Sequence, residues 1–375
     1  MSSSRYTYPK ADDPNRNCGV LGATGLIGQQ LTQCLQTHPN FNLQAVGASP
    51  RSVGKTYKDA VTWKSSYPIN PATRSMVLRE CDPEKFGDCD IIFSTMDSNV
   101  AGDIEMAFVK AEFTVFSNAK CHRLDPMIPI IVPSLNFFHL NLILAQRRTW
   151  GLQRGFLVCN ANAAVAGIAA PLMVLEEIID PSCIAMASVV TMQAVSGAGY
   201  PGPSSWDMMD NIVPFIPGEE DNFESETRKI LGGLNTLNST WSSVAEEDMQ
   251  ISVACNRVPV LEGHLACVSL KFAMSPPPSV EEIKNAWKMY DSEAMVMECH
   301  SAPKRAIVVM EEEDRPQPRL DRDRGQGFIV SVGRVREDES GAFDIKFVTM
   351  INDTILGTAG GLILNAEAAV KKRVA

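Results

Sequence analysis

A short apolar strand, Cys18-Gly19-Val20-Leu21, runs straight into Gly22-Ala23-Thr24-Gly25-Leu26-Ile27-Gly28 and then into a helical stretch from Gln29 to Gln36. Three glycines at three-residue spacing between a strand and a helix predict the phosphate-binding turn of a βαβ dinucleotide unit. Gly22 permits the tight turn, Gly25 lets a pyrophosphate approach the backbone, and Gly28 lets the helix pack on the strand. Thr24, Leu26 and Ile27 complete the loop, where the free N–H groups of a helix start attract phosphate.

The second strand, Leu43 to Ala48, does not end in the acid that would hold a ribose 2′-hydroxyl; Ser49-Pro50-Arg51-Ser52 follows. Hydroxyls from Ser49 and Ser52 with the guanidinium of Arg51 suit the extra phosphate of NADP. Arg51 alone reads equally well as a surface side chain, so the assignment of NADP rests on the combination.

Strand and helix then alternate: Asp90 to Met96, a helix from about Val100 to Ala111, Phe113 to Ser117, Ile128 to Pro133, and the run Gly155 to Asn160. This is the pattern of a Rossmann-type doubly wound parallel sheet in an α/β fold. A helix from Ala164 to Ile179 opens a second, α+β domain. Its expected parts are a strand from Ala185 to Ala194 and a long loop from Tyr200 to Glu220, ordered by Trp206, Ile212, Phe215 and Ile216. Next come a helix from Glu224 to Leu231, strands Ile251–Val260 and Leu265–Phe272 paired around Gly263-His264, and a helix from Ser279 to Ser292. Two strands, Phe328–Val335 and Ala342–Ile351, precede a last helix capped by Asn352-Asp353-Thr354.

A net charge of −10 argues against a general nucleic-acid binder. No apolar run is long enough to span a bilayer, and Met1 to Asn17 has no signal-peptide core. The ten cysteines form no C-x-x-C pair, which points to reduced, buried thiols in a cytoplasmic protein. The five histidines show no zinc-motif spacing, so no metal is expected.

Six segments in order carry a resemblance: Gly-Ala-Thr-Gly-Leu-Ile-Gly; Ser-Asn-Ala-Lys-x-x-Arg; Asn-x-Asn; Thr-Met-Gln-Ala-Val-Ser-Gly-Ala-Gly; Cys-Asn-Arg-Val-Pro-Val-x-x-Gly-His; and Asn-Asp-Thr-x-x-Gly-x-Ala-Gly-Gly. Together they resemble aspartate-semialdehyde dehydrogenases, most nearly the fungal and archaeal branch. The polar, mixed-charge start reads as a disordered lead-in (1–16), and the resemblance implies an NADP-binding Rossmann domain (17–160), a catalytic and dimerisation domain (161–350) and a C-terminal helix (351–375) returning to the first domain. It implies a homodimer or homotetramer acting on a small molecule, with no nucleic-acid or membrane partner. It places Gln193 where the family orients the acyl intermediate, Arg257 where it holds the substrate carboxylate, and His264 where it has its acid/base. Arg123 and Asn162 fall on phosphate-contacting positions, and Glu219 or Glu220 on the substrate-amine position.

The departures are concentrated in one place. The family's nucleophilic cysteine falls on Ala163, its phosphate-binding lysine on Asn222, its glutamate after Ile-Val-Pro on Ser134, and the proline of the nucleophile turn on Ala161. Without a thiol at 163 no thioacyl intermediate forms there. The expectation is direct hydride transfer to, or acid/base conversion of, a small carbonyl or imine compound bearing a carboxylate, in specialised metabolism. The alternatives are a non-redox cyclase or isomerase, a non-catalytic pseudoenzyme pairing with an active dehydrogenase, and a true dehydrogenase whose thiol has moved to Cys159 or Cys121.

Overall fold

The computed structural model describes residues 15–65, 67–235 and 240–375. The expected lead-in lies outside these apart from Asn15 and Arg16, and Arg16 already opens the first strand. One sheet is built from β1 (Arg16–Leu21), β2 (Phe41–Ala48), β3 (Arg79–Glu80), β4 (Ile91–Ser94), β5 (Thr114–Ser117), β6 (Ile130–Ile131) and β7 (Phe156–Asn160). A second uses β8 (Ile184–Gln193), β11 (Gln250–Arg257), β12 (His264–Phe272), β13 (Ile307–Val309), β14 (Val330–Glu337) and β15 (Ile345–Ile351); β9 (Gly233–Asn235) and β10 (Thr240–Ser242) form a separate ribbon. The longer helices are α1 (Leu26–Gln36), α2 (Ser98–Lys110), α3 (Leu142–Trp150), α4 (Ala163–Ile178), α5 (Glu219–Ile230), α6 (Val280–Met289) and α7 (Gly360–Lys371).

The first sheet has the order β3-β2-β1-β4-β5-β7-β6, and every pairing is parallel. Its central strands read as unbroken apolar runs because both faces are covered. Val20, Phe93, Phe116 and Val158 face α1, α3 and α7, whereas Leu21, Ile92, Val115 and Leu157 face α2. Side chains one residue apart thus enter opposite cores, as the two-residue repeat of a strand requires. The order reverses between β1 and β4, which opens a crevice at their C-terminal ends. There β1 delivers the glycine loop and β7 delivers the start of α4.

The second sheet is mixed, in the order β11-β8-β12-β15-β14-β13. Helix α4 packs on it through a surface with almost no polar side, buried continuously from Ala164 to Leu175. The expected pairing of 251–260 with 265–272 is overturned: β8 lies between them, parallel to β11 and antiparallel to β12. The segment through Gly263 is therefore a crossover, and it sets Arg257 level with Gln193 at the end of adjacent strands.

Three other expectations are corrected. The strand drawn from Ile128 to Pro133 shrinks to Ile130–Ile131 at the sheet edge. Helix α5 begins at Glu219, not Glu224, because three acids directly after Pro217-Gly218 favour a helix N-terminus. Apart from buried Met208, the large apolar residues of the 200–220 loop turn outward: Tyr200, Trp206, Met209, Ile212 and Phe215 are all more than half exposed, Trp206 to 90%. The loop is held through backbone instead, with Val213 and Arg257 exchanging N–H···O bonds of 3.0 and 2.9 Å.

At the C-terminus Asn352 Oδ1 accepts from the N–H groups of Thr354 and Ile355. It starts a wide π-type turn that leads into α7, whose buried Leu362, Ile363 and Ala366 join the core of the first sheet.

Candidate active site

At the nucleotide end the three glycines divide their work. Gly22 has φ +75°, and a Cβ there would lie 2.9 Å from Thr95 O. A Cβ on Gly28 would lie 2.4 Å from Gly22 O, so only glycine lets α1 start this close to β1. Gly25 differs: the nearest atom to its would-be Cβ is Gly22 O at 3.5 Å, leaving its outer side open to a ligand. Gln29 ties the loop by donating to Thr24 O at 2.9 Å, and Leu26 and Ile27 open α1 half-buried. Ser49 to Ser52 form a turn closed by Ser52 N–H to Ser49 O, with Arg51 and Ser49 exposed beside the end of β2. The residues fit a dinucleotide: an open backbone cradle with hydroxyl and guanidinium donors within one turn of the neighbouring strand.

The chemical end is assembled around Asn162. Its side-chain oxygen caps α4 by accepting from Ala164 N–H at 2.8 Å, and its amide donates to Glu219 Oε1 at 2.9 Å. Gln193 Nε2 donates to the same Glu219 oxygen at 3.1 Å. Asn162 N–H donates to Glu226 Oε2 at 2.8 Å, and the other oxygen of Glu226 accepts from Arg123 Nη1 at 3.0 Å. Glu219 and Glu226 are seven residues apart on α5, hence on one face, so the helix supplies both acids to the turn before α4. Glu220 points away and accepts from Cys255 N–H at 2.9 Å. Of the two glutamates expected near substrate, the structure brings only Glu219 to Asn162 and Gln193.

His264 and Arg257 meet beside Gly197. A Cβ on Gly197 would lie 2.9 Å from His264 Nε2 and 3.1 Å from Arg257 Nη1. Arg257 donates through Nη1 to Ala194 O at 2.7 Å. Ala194 N–H in turn donates to His264 Nδ1 at 3.1 Å. A backbone amide can only donate, so Nδ1 holds a lone pair and the ring proton sits on Nε2. Burial lowers the pKa of His264 and also that of Arg257. Asp353, whose carboxylate accepts from Gly263 N–H at 2.7 Å and Ser196 Oγ at 2.5 Å, stands 3.7 Å from His264 Nδ1.

Ala163 is the first residue of α4, between Asn162 and the C-terminal segment. A Cβ on Gly357 would lie only 2.5 Å from the Ala163 methyl, so Gly357 is what lets the two segments close. Asn160, at the end of β7, donates to Thr358 O at 2.9 Å and fixes the same contact. No nearby thiol is a ready nucleophile. Cys159 is completely buried and its pKa is pushed far up by desolvation. Burial also raises Cys121, and it raises Cys255, which lies 3.9 Å from Gln193 Nε2, to about 11. Contrary to expectation, not every thiol is shielded, since Cys121 and Cys267 are exposed.

Sequence reasoning missed Glu226, Asp353 as the partner of His264, and Lys229. Buried Lys229 donates to three carbonyls, Arg123 O, Asp125 O and Ile128 O, at 2.5 to 2.7 Å, and so anchors the segment that carries Arg123. Desolvation lowers its pKa to about 8. The signal was the stripe Glu219, Phe223, Glu226, Ile230 at helical spacing, hidden once the helix was started five residues late.

Residues 17–143 match the family described as "Semialdehyde dehydrogenase, NAD binding domain", and residues 175–356 match "Semialdehyde dehydrogenase, dimerisation domain". The chain is 53% identical over 362 residues to an aspartate-semialdehyde dehydrogenase of Trichophyton rubrum, covering 96% of this chain and 99% of the relative. It is 44% identical to that of Saccharomyces cerevisiae, covering 95% and 98%. A crystal structure of the Candida albicans aspartate-semialdehyde dehydrogenase with NADP superposes with a TM-score of 0.89 at 45% identity, covering 96% of this chain and 100% of that one. The chain belongs to the aspartate-semialdehyde dehydrogenase family.

Proposed function

We propose that this protein is an NADP(H)-dependent reductase of a small carbonyl or imine compound bearing a carboxylate, working by direct hydride transfer without a cysteine-bound intermediate. One observation carries the reading: a methyl group stands at 163 while Asn162 and Gln193 are both bonded to Glu219, and Arg257 and His264 are both bonded to Ala194, the residue after Gln193. Thiols that could replace it are buried or held protonated. The Gly22–Gly28 loop would cradle the pyrophosphate, and Ser49, Arg51 and Ser52 would hold the 2′-phosphate. Bound there, a reduced nicotinamide supplies a hydride.

Arg257 keeps donors beyond Nη1 for a substrate carboxylate, and Glu219, held by Asn162 and Gln193, suits an ammonium or iminium group. His264 Nε2–H donates to the carbonyl oxygen. Full proton delivery requires the imidazolium; its second proton enters at Nδ1, which must then release the Ala194 N–H it accepts and turn to Asp353 Oδ1, 3.7 Å away, to steady the charge. The reduced oxygen takes the Nε2 proton, and solvent restores the pair. A homodimer is supported by the matched dimerisation domain and by the exposed Trp206, Ile212 and Phe215.

A second reading, aspartate-semialdehyde dehydrogenase activity, is favoured by the 53% identity to the Trichophyton enzyme but needs a thiol the site does not offer. Titration with NADPH and NADH by fluorescence, followed by absorbance assays with aspartate semialdehyde with and without phosphate, separates the two. Preference for NADPH and carbonyl-dependent NADPH oxidation indifferent to phosphate is the expected result. Phosphate-dependent reduction of NADP⁺ would establish the second reading. No nucleotide binding would leave non-redox acid/base chemistry or a pseudoenzyme.

A further inference from the structure

Behind β5, on the helix α2 side of the first sheet, lies a cluster that the proposed reaction does not use. Glu105 projects from α2 and is fully buried. Its Oε1 accepts from Ser117 Oγ at 2.6 Å, but its Oε2, equally buried, has no hydrogen-bond partner. Ser94 Oγ, also buried, likewise makes no hydrogen bond of ordinary geometry. What faces the orphan oxygen is His122 Nε2, at 3.8 Å; the same nitrogen lies 3.3 Å from Gly102 O, so it carries the ring proton there and would give it up to Nδ1 on binding an ion. The neighbouring Cys121 completes a set in which one donor atom from each of Glu105, Cys121 and His122 lies within 4.8 Å of the others. Gly102, one turn before Glu105, lies beside the cluster: a Cβ there would make ordinary contact with His122 Nε2 at 3.7 Å and Cys121 Sγ at 3.8 Å.

We propose that Glu105, Cys121 and His122 form a binding site for a thiophilic divalent cation, zinc being the occupant the donor set suits. Tetrahedral zinc takes thiolate at about 2.3 Å and imidazole or carboxylate at about 2.0–2.2 Å, which sets donors roughly 3.3–3.7 Å apart. The cluster reaches this by contracting around the ion, with a fourth position left for water. Two features make it a site and not a chance grouping. A buried carboxylate oxygen without a partner is costly, and a cation relieves that cost. Cys121 is exposed, which gives an ion a route in from solvent. Arg123 follows directly, so occupancy would also brace the segment that carries it.

The test is titration of the reduced, chelator-stripped full-length protein with Co²⁺, which reports thiolate ligation by a charge-transfer band. About one equivalent should bind with that band and the strong visible absorption of a tetrahedral site, and Zn²⁺ should displace it. Cys121→Ser and His122→Phe should each abolish the band without lowering the melting temperature. Glu105→Gln should weaken binding tenfold or more, whereas Cys267→Ser, which removes the other exposed thiol, should leave it intact. No band in the parent protein, its survival in Cys121→Ser or His122→Phe, or its loss in Cys267→Ser overturns the proposal.

Discussion

At the ends of β1 and β2 the proposed nucleotide site is mostly backbone: glycines, a helix start and a turn. At the start of α4 it offers side chains from α5, β8, β11, β12 and the segment after β15, each holding another in place. A backbone cradle is set by where glycine is sterically required, so Gly22 and Gly28 cannot change without disturbing the sheet that carries them. A side-chain site tolerates loss of one member, because capping of α4 by Asn162 and closure on Gly357 depend on no thiol at 163. The chemistry of such a chain can therefore drift while its nucleotide site stays.

Putting the thiol back tests this most severely. Ala163→Cys alone supplies a nucleophile at the helix start, but Asn222 still stands where the resemblance puts a phosphate-binding lysine. The double variant Ala163→Cys/Asn222→Lys should raise phosphate-dependent oxidation of aspartate semialdehyde by a factor on the order of 10³–10⁶, the usual scale for a covalent nucleophile. The single variant should gain less. Steady-state rates across phosphate concentrations check it, and no gain in either variant would mean that the chemical end has drifted beyond two residues.

Next in size is His264. His264→Gln should lower the reduction rate by roughly 10²–10⁴, the range for a positioned proton donor, with NADPH affinity unchanged. Burial lowers its pKa, and in the proposed reaction the imidazolium is the delivering form, so the reduction rate should rise as pH falls below the ordinary imidazole value and level off beneath the lowered one. The same shift has a stability sign: the folded state favours the neutral ring, so its contribution is present above about pH 6.5 and is lost as pH falls through the folded pKa. A flat pH profile would sever His264 from the proton step.

Glycine spacing and apolar runs made the first sheet legible, because strand, loop and helix there are determined locally. The second sheet was harder for a physical reason. β11 and β12 are near in sequence and each has strand-like patterning, yet local pattern does not say that β8 enters between them. Gln193, Arg257 and His264 were named by resemblance, but that Gln193 would meet Glu219 while Arg257 and His264 converge on Ala194 and Gly197 was not readable from it. Glu226 and Lys229 escaped because a buried ion or amine looks like a solvated charge until its partners arrive from distant segments.

The glycine loop offers a sharper contrast within one turn. Gly28→Ala forces a methyl to 2.4 Å from Gly22 O, and a strained core contact of this kind costs roughly 1–3 kcal/mol in stability besides displacing the loop. Gly25→Ala adds its methyl on the open side, with φ at −72°, so it should melt normally and lose only nucleotide affinity. Thermal unfolding beside NADPH titration checks the pair, and equal destabilisation would refute the division of labour among these glycines.

Arg51→Ala should have the smallest effect. The side chain is exposed at a turn, so its removal leaves melting unchanged. If it grips the 2′-phosphate beside Ser49 and Ser52, losing one charge-assisted contact costs about 1.5 kcal/mol, or roughly tenfold in NADPH affinity. NADH carries no phosphate there, so its affinity should stay level and the ratio of the two dissociation constants should shift by the full tenfold. Parallel loss for both nucleotides would place Arg51 on a shared part of the cofactor, and no loss for either would make it a surface arginine, leaving phosphate selectivity to the turn's hydroxyls and backbone.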